Sequence, residues 1–265
     1  ASIQSLQGQI GTISIIKEES KTWTIREESA YTGATTVNAG TLIVNGNSLA
    51  ASAGNVTVAA GATLGGSGDI GGAATITGNH HAGSTVGTAG SDFVGKQDFV
   101  GDLTYNGGVG TPATVTWDLI SNSNTGAGTN FDQFTVAGTL DFSTTTNLIL
   151  NFDATGSAVD WTNASWSNDQ SWVVYSSSSA IQNAGNLNLV SQNWLDSNGG
   201  SFDALRGPDN SSFALDVSNP NQIVLSFTAV PEPSTYALMG LGLAAFGWFA
   251  RRRRNKAAAP TDEAA

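Results

Sequence analysis

The sequence predicts an all-β body followed by one short apolar C-terminal helix, and three observations carry that prediction. Runs of β-branched and aromatic residues recur along the body, each bounded by Gly, Asn, Asp or Ser. All 14 acidic residues between Ser29 and Val230 are Asp, set among abundant Gly, Asn, Ser and Thr. That is turn chemistry, not helix chemistry. No stretch before residue 235 shows a capped 3.6-residue apolar period, whereas residues 236–250 are uncharged and mostly apolar.

Taken in order, Ile13, Ile15 and Ile25 stand in alternating context and predict β rungs within residues 1–30. Strands follow at Thr35–Val37, Thr41–Val44, Val56–Val58, Thr75–Thr77 and Thr114–Trp117. Further strands are expected at Phe134–Val136, Leu148–Leu150, Trp172–Tyr175, Leu187–Val190, Phe213–Val217 and Ile223–Phe227. Strands this short, with Gly at the corners, suit a solenoid. Residues 41–46 and 56–65 read as stacked rungs of about 20 residues, with Leu42 and Val44 pointing into a narrow core. Between residues 100 and 230 the rhythm loosens and Trp becomes more frequent, so a β-sandwich competes there.

Composition excludes several chemistries. A chain of 265 residues allows one or two domains with a sizeable core. It has no cysteine, hence no disulfide, thiolate nucleophile or Cys-ligated metal. Against its 14 Asp the body sets only Lys96 and Arg206, so it repels phosphate backbones and no nucleic acid is expected as a partner.

Residues 31–46 (Tyr-Thr-Gly-Ala-Thr-Thr-Val-Asn-Ala-Gly-Thr-Leu-Ile-Val-Asn-Gly) and the following Val56 to Gly72 resemble the autotransporter-associated β-strand repeat. The resemblance implies a right-handed parallel β-helix of the kind found in bacterial passenger and surface proteins. Thr22 to Ile25 would be the preceding strand, although Arg26-Glu27-Glu28-Ser29 departs from the family's small polar turn. Residues 130–140 are similar to a recurring aromatic–Asp step of the chain that follows such repeats. The expected organisation is rungs in 1–30, the repeat region in 31–100, solenoid or sandwich in 101–229, a sorting segment in 230–254 and a polar tail in 255–265.

The C-terminal segment joins Pro231-Glu232-Pro233 to an apolar helix containing Tyr236, Leu238, Leu241, Leu243, Phe246, Trp248 and Phe249, followed by Arg251, Arg252, Arg253 and Arg254. Its 15 apolar-run residues would extend about 22 Å as a helix, against a hydrocarbon core of about 30 Å. Snorkelling Arg side chains and local thinning absorb the difference, and the basic cluster stays cytoplasmic. The prolines cannot continue the helix upstream. This arrangement resembles the PEP-CTERM sorting signal. The resemblance implies export, transient anchoring in the inner membrane, processing by an exosortase-type membrane enzyme and delivery to the cell surface or extracellular matrix. An uncut tail anchor is the alternative. The chain starts at Ala1 with no initiator Met and no secretion signal, so the signal is expected either to have been removed or to belong to a longer reading frame, which the alternating Ile13, Ile15 and Ile25 favour.

Candidate chemistry is sparse. Residues 66–71 fit G-x-G-x-x-G, but the following Gly-Ala-Ala-Thr-Ile-Thr reads as a strand, so the glycines are taken as a corner and not a cofactor loop. The same stretch misses the calcium-binding nonapeptide register by one position, and Asp pairs such as Asp98 and Asp102 read as solvated turns. His80 and His81 would point to opposite faces of a strand, and a polar loop is the preferred reading. No carboxyl pair or Ser/His/Asp set is marked out. Trp161, Trp166, Trp172 and Trp194 read as packing residues, with sugar stacking as the competing role. No catalytic, cofactor-binding or metal-binding residue is assigned. The expected function is structural or adhesive, a rigid surface or matrix component associated with exopolysaccharide. A carbohydrate-binding module, or the stalk of a larger exported enzyme, is the alternative.

Overall fold

A computed structural model describes residues 2–3, 12–26, 31–45, 54–83, 94–108, 110–190, 192–206, 212–229, 241, 243–246, 248 and 251. The body consists of short strands in three largely parallel sheets. In the first sheet Ser2–Ile3, Thr22–Ile25, Thr41–Val44, Thr63–Gly66, Asn79–Ala82, Ala113–Asp118, Thr146–Asn151 and Leu187–Leu189 lie side by side in chain order. The second sheet orders Ile15–Lys17, Thr35–Val37, Val56–Val58, Ala74–Ile76, Leu103–Tyr105 and Leu140–Phe142 in the same way. The third begins with Asp69–Ile70, Lys96–Phe99, Gln133–Val136 and Gln170–Ser177. Up to Gly66 the described strands alternate between the first and second sheets; from Asp69 to Ser177 the chain visits the three sheets in rotation, each pass laying its strands on those of the pass before.

That stacking aligns side chains into columns. Leu42, Leu64, His80, Val115 and Leu148 occupy one register position of the first sheet and are all buried. Val37, Val58, Ile76, Tyr105 and Phe142 form the corresponding column of the second. Gln97, Phe134, Tyr175 and Ile223 form that of the third. The alternation of Thr-Thr-Val and Val-Thr-Val follows directly, since every second residue must fill the shared core. Lys17 ends the second-sheet column, fully buried, and its Nζ donates to the carbonyls of Glu19 at 2.5 Å and Ala39 at 2.7 Å.

A second column is built of backbone. Gly33, Gly54, Gly72, Gly101 and Gly138 each stand two residues ahead of a second-sheet strand. A Cβ on Gly54 would lie 1.8 Å from the Gly33 carbonyl oxygen, and one on Gly72 would lie 2.0 Å from that of Gly54. On Gly101 and Gly138 it would meet the preceding glycine's carbonyl carbon at 2.7 and 2.6 Å. Successive passes therefore touch main chain to main chain at this corner, where no side chain fits.

Each strand range named from 35 to 227 has a strand at its place; three are unchanged, five are longer by one to four residues, and the rest are shifted or shortened by one. The stack also crosses residue 100 without a break. Leu103–Tyr105 pairs in parallel with Ala74–Ile76, and Ala113–Asp118 with Asn79–Ala82. Of the solenoid and the sandwich that are the alternatives for 101–229, the described residues show more of the same parallel sheets, ending in an antiparallel hairpin. Ser212–Asp216 pairs with Gln222–Thr228, which pairs with Gln170–Ser177 and closes the edge of the third sheet. Beneath it Trp161, Trp166, Trp172 and Trp194 pack with Phe152, Phe202, Phe213 and Phe227, the closest rings 4.7 Å apart at Trp161–Trp166.

In the C-terminal segment Leu241, residues 243–246, Trp248 and Arg251 are helical and exposed. Among the described residues no helix is long and apolar enough to cross a membrane. Pro231, Glu232, Pro233, Tyr236, Leu238, Phe249 and Arg252 to Arg254 lie outside the described residues.

Candidate functional site

Among the buried polar side chains, two neighbours in sequence, His80 and His81, each anchor a polar cluster. Flanked by Asn79 and Gly83, the pair reads locally as a loop, but the structure places it on the strand Asn79–Ala82. Neighbouring passes override local propensity here, because Thr63–Gly66 and Ala113–Asp118 offer ladder partners on both sides. The two imidazoles face opposite sides of the sheet, as strand geometry requires. Each is nevertheless buried, at 1% and 3% exposure.

His80 sits among the core aromatics, 4.5 Å from the ring of Phe134 and edge-on to Phe99. Its Nδ1 lies 2.6 Å from the Tyr105 hydroxyl and its Nε2 2.6 Å from Gln97 Oε1. Because Gln97 Oε1 can only accept, Nε2 carries the ring proton and Nδ1 accepts from Tyr105, whose oxygen in turn accepts from Tyr175 at 2.9 Å. This one-directional chain requires a neutral imidazole. Burial agrees, pushing the His80 pKa down to about 3, with the Gln97 bond opposing and His81 assisting.

On the other side, His81 Nε2 meets Asp118 Oδ2 at 2.8 Å. Asp118 closes the strand Ala113–Asp118, and Asp132 stands immediately before Gln133–Val136, so the first and third sheets converge at this corner. Asp132 accepts from the Gly95 N–H at 2.8 Å through Oδ1 and from the Asp118 N–H at 3.0 Å through Oδ2. Its own N–H donates to the Asp118 carbonyl at 3.0 Å, and its carbonyl accepts Trp117 Nε1–H at 2.6 Å. Both Asp side chains are fully buried. Burial first, then the Asp118 charge, drives the Asp132 pKa well above the carboxylate range, against the two backbone donors. Asp118 Oδ1 and His81 Nδ1 have no hydrogen-bond partner among the described residues.

Other positions singled out in the sequence have structural roles. Residues 66–71 join the strand Thr63–Gly66 to Asp69–Ile70, and Gly66 takes φ +114° against the Val44 backbone. The dinucleotide-like spacing is therefore a corner between two strands. Asp98 pairs with Lys96 at 2.9 Å, while Asp102 Oδ1 accepts the Thr139 N–H. Trp161, Trp166, Trp172 and Trp194 are at most 8% exposed, so they present no stacking face to a sugar.

The sorting segment leaves the body without a spacer. The last body strand ends at Thr228, and the Ala229 N–H is held by Asp169 Oδ1 at 2.8 Å. No curated protein and no solved structure matches the chain. Residues 229–254 match the PEP-CTERM protein-sorting motif, the signal of an exported protein that is anchored transiently in the membrane and sorted by an exosortase.

Proposed function

We propose that this chain is a non-catalytic structural protein, a right-handed parallel β-helix of the autotransporter-associated type that is delivered to the cell surface or extracellular matrix. There it serves as a rigid spacer or adhesive component alongside exopolysaccharide. The sorting segment holds it at the inner membrane until an exosortase-type enzyme cuts near Pro231-Glu232-Pro233.

The observation that carries this reading is the junction at Thr228: a body of stacked parallel strands passes directly into the sorting motif at 229–254. Stacked passes satisfy one another's backbone hydrogen bonds, which supports stiffness in a chain with no cysteine. The buried carboxylates Asp132 and Asp196 accept backbone N–H groups, which supports a fold-holding role for them over a chemical one.

The test is fractionation in the native host with one tag before Val230 and another after Arg254, read by intact mass. Arrival of the upstream tag at the surface or in the medium, with the downstream tag left behind, is the expected result. Retention of both tags together in the inner membrane would overturn the matrix role and leave a plain anchor.

A further inference from the structure

The corner formed by His81, Asp118 and Asp132 has an unresolved charge balance. Two fully buried carboxylates meet one buried imidazole. Among the described residues the ion pairs are His81–Asp118 and Lys96–Asp98, so the nearby lysine is already engaged at an exposed site. With both carboxylates ionised the corner carries a net negative charge whichever form His81 takes, and burial meets that cost by favouring a proton on Asp132 unless a cation is present. His81 Nδ1 is buried with no hydrogen-bond partner among the described residues. Asp118 Oδ1 is a buried acceptor in the same position. Buried charge and orphaned polar atoms are both costly unless something in the site matches them.

We propose that His81, Asp118 and Asp132 bind one divalent transition-metal ion of the zinc class, which fastens the first sheet to the third at this corner. One donor atom from each residue lies within 4.8 Å of the others, and the His81–Asp118 pair is already at 2.8 Å. Ligand bonds of roughly 2.0–2.2 Å place the donors of a tetrahedral ion about 3.4 Å apart, so the three converge on that geometry. One imidazole nitrogen with two carboxylates is a zinc-type donor set, whereas calcium favours oxygen alone. A doubly charged ion cancels the two carboxylates and gives Asp118 a partner. Coordination through Nε2 puts the ring proton on Nδ1, whose lack of a partner the ion does not relieve, and a water fills the fourth position.

His81 comes from one pass of the chain, and Asp118 and Asp132 from the two ends of a single corner of the next. The ion therefore acts as a staple between passes in a protein that has no disulfide. Asp132 is preset for this role, since the Gly95 and Asp118 N–H groups fix the carboxylate and leave further lone pairs on both oxygens.

The experiment uses the full chain, without a polyhistidine tag, unfolded with chelator and refolded with or without zinc chloride. Metal per chain is measured by elemental analysis after gel filtration, and the thermal midpoint by circular dichroism. About one zinc per chain and a raised midpoint are expected. Cobalt(II) in place of zinc should give the visible bands of a low-coordinate site. His81→Gln and Asp132→Asn should each lose affinity on the order of tenfold or more and abolish the midpoint shift. Asp196→Asn, at a carboxylate that caps the backbone elsewhere, should keep the metal. The wild-type measurement decides even if the ligand variants fail to fold. A wild-type chain that refolds with the same β spectrum, takes up no zinc and shows no shift would overturn the proposal.

Discussion

Replacing Gly72 by alanine probes the backbone column directly. Gly72 has no positive φ, so the substitution tests close approach alone. The new methyl would lie 2.0 Å from the Gly54 carbonyl oxygen and 2.6 Å from its carbon. Relief needs the two passes to part by more than about 1 Å, since carbon–oxygen contacts below about 3.2 Å are steeply repulsive. The Val56 N–H to Ala73 carbonyl bond, now 2.8 Å, crosses the same gap and would be stretched past any useful length. Overpacking costs about 1–3 kcal/mol, and a broken buried bond about 1–3 kcal/mol more. The stiffer unfolded chain returns about 0.4–1 kcal/mol. A net loss of roughly 3 kcal/mol is expected, measured by urea unfolding followed with tryptophan fluorescence. Gly185→Ala is the control, because a Cβ there meets nothing within 4 Å. If the two variants agree within about 1 kcal/mol, the passes are not in backbone contact and the column is misread.

Two further outcomes follow from the core. The unfolded chain protonates His80 near its ordinary value of 6.5, while the folded chain resists until about 3. The unfolded state therefore binds more protons throughout that window, and stability falls with falling pH by about 1.4 kcal/mol per pH unit from this residue. His80→Leu, which matches its column neighbour Leu64, should be less stable at pH 7 yet show a flatter decline between pH 6 and 4; identical slopes would refute the neutral-imidazole assignment. Trp172→Ala should cost about 3–5 kcal/mol in the same unfolding assay, because the indole is buried and its Nε1–H donates to the Ser123 carbonyl at 3.1 Å. A loss below about 1 kcal/mol would argue for a surface role instead.

What the sequence disclosed was local. Thr35–Val37 and Val56–Val58 are strands because their alternation suits a half-shared core, and that alternation can be read without a partner. The placing of Trp161 and Trp172 in packing follows from their company in a β body. A loop at His80 and His81 is what local sequence suggests, because their strand exists only through register with Leu64 and Val115, a relation between passes. The corner cluster was hidden for a similar reason. His81 and Asp118 are 37 residues apart, and Asp118 and Asp132 are 14 apart, so no fixed period links them. The backbone column did leave a signal. Gly33, Gly54, Gly72, Gly101 and Gly138 each precede a second-sheet strand by the same two positions, and aligning the strands on one another exposes it.

The strand Gln222–Thr228 has antiparallel neighbours on both sides, and the sorting segment departs from its end. While the protein is tethered, a pull from the membrane enters the body at the end of that strand, and the case of interest is a pull along its axis. Force in this direction shears two hydrogen-bond ladders at once, straining their rungs together, whereas a pull across the strand would unzip them one at a time. The Ala229–Asp169 bond meets the load first and the paired ladders share the remainder. Anchorage is thus mechanical as well as chemical: the tether is fixed where the sheet resists sliding, and a body under flow or crowding can be held by its tail without being drawn apart from it.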